Sequence, residues 1–448
     1  MKVHALVVAV AVTATGGSLY AQQPAGAPAA AAAPVRELTL DQALDLARKR
    51  NRNLAVERAR VAEAQTTIEQ AWAALVPTVS AQGKYTRNNI AFPFAAPVTD
   101  AAGNPTGQIR HIVIQPLNQL DAVVSAVAPL VAPPAYSALS SVKDSVASSE
   151  ANYEASESSV LFNVAQTFYT AAGADEVLIA RRSNVQVASA TLQNAQTRFQ
   201  AGTVTKVDVD RAELSLVRAQ QAVLDAENVR QQTYRSLATL VQVEGPFKVV
   251  APAPPAPGPR DESLDMGLHL RPEFRALELS VKSSDEQANA YRLRWSPTLS
   301  AFGNGRVFNY DNFAGQRHAW ALGVQLDWVI YDGGTRDAQR HLAAAQAREA
   351  EERAAVLRDS INDDINNGRS QLDTKNHARE AAERSVTLAS ETLDLVRTQY
   401  EAGTATQIDL LQAQDNLISS QEALAQAHFD VAVADLTLRH AAGTFPGK

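Results

Sequence analysis

The sequence predicts a mainly α-helical chain with a small β part, in which long coiled-coil helices and amphipathic strands occur in two copies. Three observations predict it. First, Phe199-Gln200-Ala201-Gly202-Thr203-Val204-Thr205-Lys206-Val207-Asp208-Val209 recurs as Tyr400-Glu401-Ala402-Gly403-Thr404-Ala405-Thr406-Gln407-Ile408-Asp409-Leu410. Gly202 becomes Gly403, an offset of 201 residues, so the chain has two equivalent halves. Second, apolar residues around both copies are spaced alternately by three and four, the period of a helix seam facing a partner. Third, four other segments alternate with period two, the signature of a strand with one polar and one apolar face.

From the N-terminus, residues 1–21 read as a secretory signal. Lys2 is the positive start, Ala5 to Val12 a short apolar core, and Leu19-Tyr20-Ala21 a cleavage site. The other reading is an apolar, unstructured N-terminus. Residues 22–34 are a flexible leader rich in Ala and Pro. The first structural repeat occupies residues 35–243 and the second 263–442, with a tail at 443–448. Between the repeats, residues 244–262 carry Pro246, Pro252, Pro254, Pro255, Pro257 and Pro259, which no helix interior accepts. This stretch is expected to be a linker or a surface strap.

Each half opens with a short helix and then a Pro-Thr step. Pro77-Thr78 matches Pro297-Thr298 at an offset of 220, and the offset has fallen to 201 at the repeated tips. The first half therefore carries an insertion, expected as a long loop at residues 91–117 with Pro93, Pro97, Gly103, Pro105 and Gly107. The strands are expected at 78–86, 119–131, 298–308 and 320–328. In the last, Trp320, Leu322, Val324, Leu326 and Trp328 share one face. A tilted strand of about 9–11 residues crosses a bilayer, and tryptophans near both ends of an apolar face suit its two interfaces. Pattern alone leaves an ordinary half-buried sheet equally open. Four spanning strands cannot close a barrel, so closure requires further copies; three copies supply twelve strands.

The long helices follow. Residues 335–399 hold no Pro and one Gly, Gly368; residues 135–199 hold one interior Gly, Gly173. Such stretches reach on the order of 100 Å at 1.5 Å per residue. Two shorter helices stacked end to end match one long one. Alanines such as Ala188, Ala195, Ala212 and Ala219 in the seams permit close approach and curved walls.

Composition narrows the function. Net charge is −7, against nucleic acid as a partner. Cysteine is absent, which excludes disulfides, thiolate metal sites, a catalytic thiol and acylation at an N-terminal cysteine. No apolar run beyond the N-terminus approaches the length of a membrane helix. Histidines have no paired zinc spacing, and no nucleophile elbow appears. The chain is not expected to be an enzyme, and no cofactor is expected.

These landmarks in this order resemble the TolC-like outer-membrane efflux proteins over nearly the whole mature length. Leu38-Thr39-Leu40-Asp41-Gln42-Ala43-Leu44 with Asn51-Arg52-Asn53-Leu54 is similar to that family's first-helix signature. The two Pro-Thr steps, Trp328-Val329-Ile330-Tyr331-Asp332-Gly333-Gly334 and the two Ala-Gly-Thr tips are similar to its other landmarks. The resemblance implies a homotrimer, with a 12-stranded barrel in outer-membrane lipid and an α-barrel reaching into the periplasm. It implies a passive exit duct, joined through a periplasmic adaptor (a membrane fusion protein) to an inner-membrane transporter. A soluble periplasmic coiled-coil scaffold is the competing reading; it has no need of Trp-flanked amphipathic strands.

The tips carry the candidate working residues. Gly202 and Gly403 suit a tight helix-to-helix turn. Thr203 or Thr205, and Thr404 or Thr406, are candidates to cap the returning helix. The resemblance implies adaptor contact at Ala201, Gly202, Thr203, Ala402, Gly403 and Thr404. It also matches Asp409 to a gate carboxylate ring, and Asp208 with Tyr400 to a linking pair in the gate; the family's basic link residue falls at Ala405. Charge compensation at a helix N-terminus is the competing role for both aspartates. Trp320 and Trp328 are the expected membrane-interface anchors.

Overall fold

The computed structural model describes residues 36–100, 104–252, 263–312 and 315–445. The expected signal at 1–21 and leader at 22–34 lie outside the described residues, as do parts of the linker and tail. The first half runs β1 (Arg36–Thr39), α1 (Leu40–Arg50), α2 (Arg52–Ala73), β2 (Thr78–Arg87), β3 (Phe92–Thr99), β4 (Pro105–Gln115), β5 (Asn118–Val131), α3 (Pro133–Gln200) and α4 (Lys206–Val241). The second runs β6 (Phe247–Val250), α5 (Leu264–Leu270), α6 (Pro272–Leu293), β7 (Thr298–Phe308), β8 (His318–Asp327), α7 (Thr335–Glu401) and α8 (Gln407–Ala441). None of the described helices is both long and apolar enough to cross a membrane.

The two longest helices set the scale. α3 has 68 residues and α7 has 67, about 100 Å each. As expected, shorter helices share their length. Near the sheet, α2 lies on α3 and α6 packs against both α3 and α7. Toward the tips, α4 lies on α3 and α8 packs against both α3 and α7. Small residues allow these approaches. Ser141 Oγ donates to the Ser283 carbonyl at 2.8 Å, and Ser148 Oγ to the Ala276 carbonyl at 2.7 Å, tying α3 to α6. Gly368 lies against Leu438 of α8, where a Cβ would approach within 3.2 Å of backbone.

Midway along the helices sits the main core. Phe168, Leu161, Val164 and Ala165 of α3 are fully buried against Leu38 and Ala43, Leu237 and Val241, and Phe247 and Val249. Strands β1 and β6 pair in parallel here, Leu38 opposite Val249. Residues 247–250 were expected within a linker or surface strap. They form a strand instead, because Phe247 and Val249 alternate inward and Tyr234 stacks on Phe247 at 5.2 Å. Asp175 accepts the Tyr234 hydroxyl at 2.5 Å, and that hydroxyl accepts the Val249 N–H at 3.2 Å.

The four-stranded sheet has the order β2-β5-β7-β8, antiparallel throughout. Its register aligns the alternation across all four strands, because directly paired residues share a face. Gly83, Ala122 and Val307 form one such row, and Gly303 with Leu322 and Gly305 with Trp320 continue that face. Trp320, Leu322, Val324 and Leu326 are each more than 60% exposed, as are Val79 and Tyr85 across the sheet. The opposite face carries Gln82, Lys84, Ser125, Asn304 and Gln325. Glycine is required inside this sheet: a Cβ at Gly323 would stand 2.8 Å from the Phe302 ring.

A second expectation is overturned. Residues 91–117 are not an irregular loop but mostly a two-stranded ribbon, β3 with β4. Pro93, Pro97 and Pro105 suggested a loop, yet a two-stranded ribbon has only edges, and edge strands accommodate proline.

Candidate functional site

The hairpin tips lie at the far end of α3 and α7 from the sheet. Both are built by the same local chemistry. At the first, the Thr203 N–H donates to the Arg198 carbonyl at 2.9 Å and the Gly202 N–H to the Phe199 carbonyl at 2.9 Å. At the second, the Thr404 N–H donates to Gln399 at 2.9 Å and the Gly403 N–H to Tyr400 at 3.1 Å. This paired bonding ends a helix on a left-handed residue. Gly202 and Gly403 supply it, with φ of +74° and +79°. The threonine hydroxyls reinforce the stop: Thr203 Oγ1 donates to the Arg198 carbonyl and Thr404 Oγ1 to the Gln399 carbonyl. Ala201 and Ala402 are exposed beside them.

Of the two candidate caps at each tip, the returning helix uses the later one. The Thr205 N–H and hydroxyl donate to Asp208 Oδ2 at 2.9 and 2.7 Å. The Thr406 N–H and hydroxyl donate to Asp409 Oδ2 at 2.8 and 2.6 Å, and the Asp409 N–H returns a bond to Thr406 Oγ1. Reciprocal bonding of this kind satisfies donors that a helix start leaves free. The Thr205 hydroxyl, then its N–H, hold the Asp208 carboxyl below the usual range. Thr406 does the same for the fully exposed Asp409. Both are therefore ionised at neutral pH.

The tips are also joined to each other. Gln407 bridges Tyr400 and Asp208. The Tyr400 hydroxyl donates to Gln407 Oε1 at 3.1 Å, and Gln407 Nε2 donates to the Asp208 carbonyl at 3.1 Å. The Asp208 carboxylate is occupied elsewhere, by Thr205 and by Arg211 at 3.7 Å. The Arg198 guanidinium lies 4.5 Å from the centre of the Tyr400 ring, within range of a cation–π attraction. Gln407 is only 5% exposed. Sequence reasoning missed Arg198 and Gln407. The available signal was the mismatch at the duplicated position, where Gln407 stands against Lys206.

At the opposite end, Trp320 and Trp328 are 74% and 61% exposed on the apolar side of β8 and just beyond it. Trp328 Nε1 donates to the Trp295 carbonyl at 3.1 Å, which fixes its ring where the strand returns toward the helices. The structure thus separates the predicted residues into two sites, a polar tip cluster and an apolar sheet surface.

The outer membrane efflux protein family matches residues 43–241 and 264–444, covering both halves. Outer membrane efflux protein BepC of Brucella suis is 27% identical over 301 residues, 65% of this chain and 65% of BepC. The match therefore spans less than two thirds of that relative. The crystal structure of CusC superposes with a TM-score of 0.78 at 15% identity, covering 90% of this chain and 92% of CusC. The CmeC outer membrane channel of Campylobacter jejuni gives 0.74 at 17% identity, covering 90% and 85%. At these identities the structures establish a shared fold. The match across both repeats establishes more: the chain belongs to the outer membrane efflux protein family, seated in the outer membrane and extending into the periplasm.

Proposed function

We propose that the chain is the passive exit duct of a tripartite efflux or type I secretion system. The observation that carries this reading is the four-stranded sheet, whose outward face is apolar in register and whose end strands, β2 and β8, each leave their outer edge without a partner strand among the described residues. In hydrocarbon each unpaired backbone group costs several kcal/mol. Three chains joined edge to edge remove that cost in a 12-stranded barrel, and β8 beside a neighbour's β2 continues the antiparallel order. The helical layer has open edges on the same two sides, α2 and α4 on one and α7 on the other, so the same trimer continues as an α-barrel. The repeats at 35–243 and 263–442, tied through 244–262, each supply half of a chain's wall.

In this reading Trp320 and Trp328 anchor the barrel at the lipid interfaces. Ala201, Gly202, Thr203, Ala402, Gly403 and Thr404 contact a periplasmic adaptor that joins the duct to an inner-membrane transporter. Asp409 from three chains forms a cation-attracting ring at the periplasmic mouth. Tyr400 and Asp208, bridged by Gln407, hold that mouth closed. Transport needs no cofactor and no catalytic group, since the duct only lines a path. Purified protein added to a planar bilayer is expected to give discrete, cation-selective conductance steps; protein that leaves the bilayer silent refutes the duct. Gly403→Pro removes the N–H that donates to Tyr400 and forbids the positive φ. That variant is expected to trimerise but to lose binding to adaptor hairpins; unchanged binding removes the tips from the adaptor contact.

A further inference from the structure

The polar face of the four-stranded sheet carries an unbalanced charge at the end away from the helices. The charged side chains on that face of the strands are Lys84, Asp121, Arg306 and Asp327. Asp121 pairs directly with Lys84 on one side and with Phe308 on the other, and Arg306 is the next residue of β7 on the same face. Asp327 stands eight residues along β8 from Ala319, the partner of Arg306, so it lies about 27 Å away at the helical end. The other three form a built cluster. The Asp121 side chain is only 8% exposed, and both its oxygens are engaged. Arg306 Nη2 donates to Oδ1 at 2.9 Å, Gln119 Nε2 to Oδ2 at 2.8 Å, and the Tyr310 hydroxyl to Oδ1 at 3.2 Å. The Tyr310 ring packs on the buried Phe308 at 4.9 Å, which walls the cluster. Asp121 therefore fixes Arg306 in place while the arginine side chain stays 48% exposed. Lys84, opposite Asp121 in the register, is exposed as well. Two cations against one anion leave one positive charge per chain at this end.

We propose that this end of the sheet is a binding ring for multivalent anionic solutes, formed by Lys84 and Arg306 of each chain, with Asp121 as a positioning residue. The inference rests on the trimeric duct, in which the apolar face meets lipid and the polar face lines the lumen, and it gives the two mouths opposite sign. Stability does not account for the cluster, because apolar side chains in place of a buried ion pair hold a structure together at least as well. What the cluster does is hold a guanidinium toward the lumen beside a second cation. Solutes with phosphate or carboxylate groups are the matched class. A guanidinium offers five N–H donors in one plane, and Arg306 reaches Asp121 through a single nitrogen, so paired donors remain for an oxyanion. A ring of like charges in a low-dielectric wall concentrates ions of the opposite sign. An outbound anion that has passed the Asp409 carboxylates therefore meets attraction at the outer mouth, whereas a cation meets attraction at the periplasmic one.

Planar bilayers distinguish the two mouths, because the long polar helices stay on the side to which protein is added and the barrel opens on the other. Sodium tripolyphosphate is the probe, added to either side of the full-length parent, Lys84→Gln, Lys84→Arg and Asp121→Asn, with single-channel current recorded. Block of the parent is expected at lower concentration from the barrel side than from the helical side. Lys84→Gln removes three charges that face the anion at about 10 Å, and is expected to weaken barrel-side block about tenfold in 0.1 M salt. Lys84→Arg is expected to keep the block. Asp121→Asn preserves the side chain's shape, adds one net positive charge per chain and is expected to tighten the block, the opposite of what damage to the sheet would do. Equal block from both sides, barrel-side block of Lys84→Gln within twofold of the parent, or weaker block of a conducting Asp121→Asn channel each overturns the ring and leaves the duct standing. A parent protein that gives no conductance refutes the duct reading, and the ring with it.

Discussion

Gln407→Met isolates one buried bond between the two hairpin tips. Methionine fills a similar volume at this 5% exposed position but donates and accepts nothing comparable. The variant loses the 3.1 Å bond from Gln407 Nε2 to the Asp208 carbonyl, one of the contacts between the hairpins, and strands the Tyr400 hydroxyl that had oriented the amide. A neutral hydrogen bond contributes about 1 kcal/mol net. If the three chains of a trimer open together, the closed mouth loses about 3 kcal/mol, roughly a hundredfold rise in the ratio of open to closed states. If each chain opens independently, the rise is about fivefold per chain. The burial of Gln407 adds to the effect, because water does not freely replace the lost donor. The assay is single-channel recording in planar bilayers, scoring open probability and the size of the conductance step for parent, Gln407→Met and Tyr400→Phe. Tyr400→Phe keeps the ring under Arg198 and is expected to show the smaller rise. Open probability within twofold of the parent for Gln407→Met refutes the latch.

Four further outcomes are expected. Val324→Arg, on the apolar face of β8, costs about 2–4 kcal/mol if that face meets the bilayer midplane, whereas Gln325→Arg on the other face is tolerated; detergent-resistant assembly in outer-membrane fractions separates them. Phe168→Ala empties the fully buried centre of the main core and costs about 3–5 kcal/mol, read as a lower thermal midpoint with unchanged conductance in the folded fraction. The caps at Asp208 and Asp409 have depressed folded pKa values, so their contribution is full above the ordinary carboxylate value near about 3.9 and is lost as pH falls through the depressed one. Amide exchange in the first turns of α4 and α8 is therefore expected to hold its protection from neutral pH to about pH 5 and to lose it only in stronger acid. Asp409→Ala is expected to weaken block by a trivalent cation; equal block places the ring elsewhere.

Much of this architecture was legible because its signals are local. The tips are written in glycine and threonine, which stop and start helices through bonds spanning three to five residues. Strand β8 is written in the Trp-Leu-Val-Leu-Trp alternation that runs from Trp320 to Trp328, one residue beyond its end. What was hidden depends on contacts between distant residues. Gln407 carries no motif, and its role exists only because α8 lies beside α3, which brings Asp208 within reach of a side chain 199 positions away. Strands β1 and β6 have only four residues each, and β6 is surrounded by prolines; pairing with each other makes them strands. The β3–β4 ribbon was masked by Pro93, Pro97 and Pro105, residues that normally mark loops and are tolerated here because both strands are edges. The choice between Thr203 and Thr205 was undecidable from sequence, since both can cap. Geometry divides the work: Thr203 bonds back to the helix that ends, and Thr205 caps the helix that begins.

Closure of the wall by copies of the chain is the claim on which the duct depends. Its most direct test is the mass of the protein extracted from outer membranes in mild detergent, measured by light scattering with the detergent contribution subtracted. The account predicts a detergent-dependent particle of three chains. A stable monomer or dimer that stays in solution without detergent contradicts it, leaves the sheet edges unexplained and returns the chain to a periplasmic scaffold.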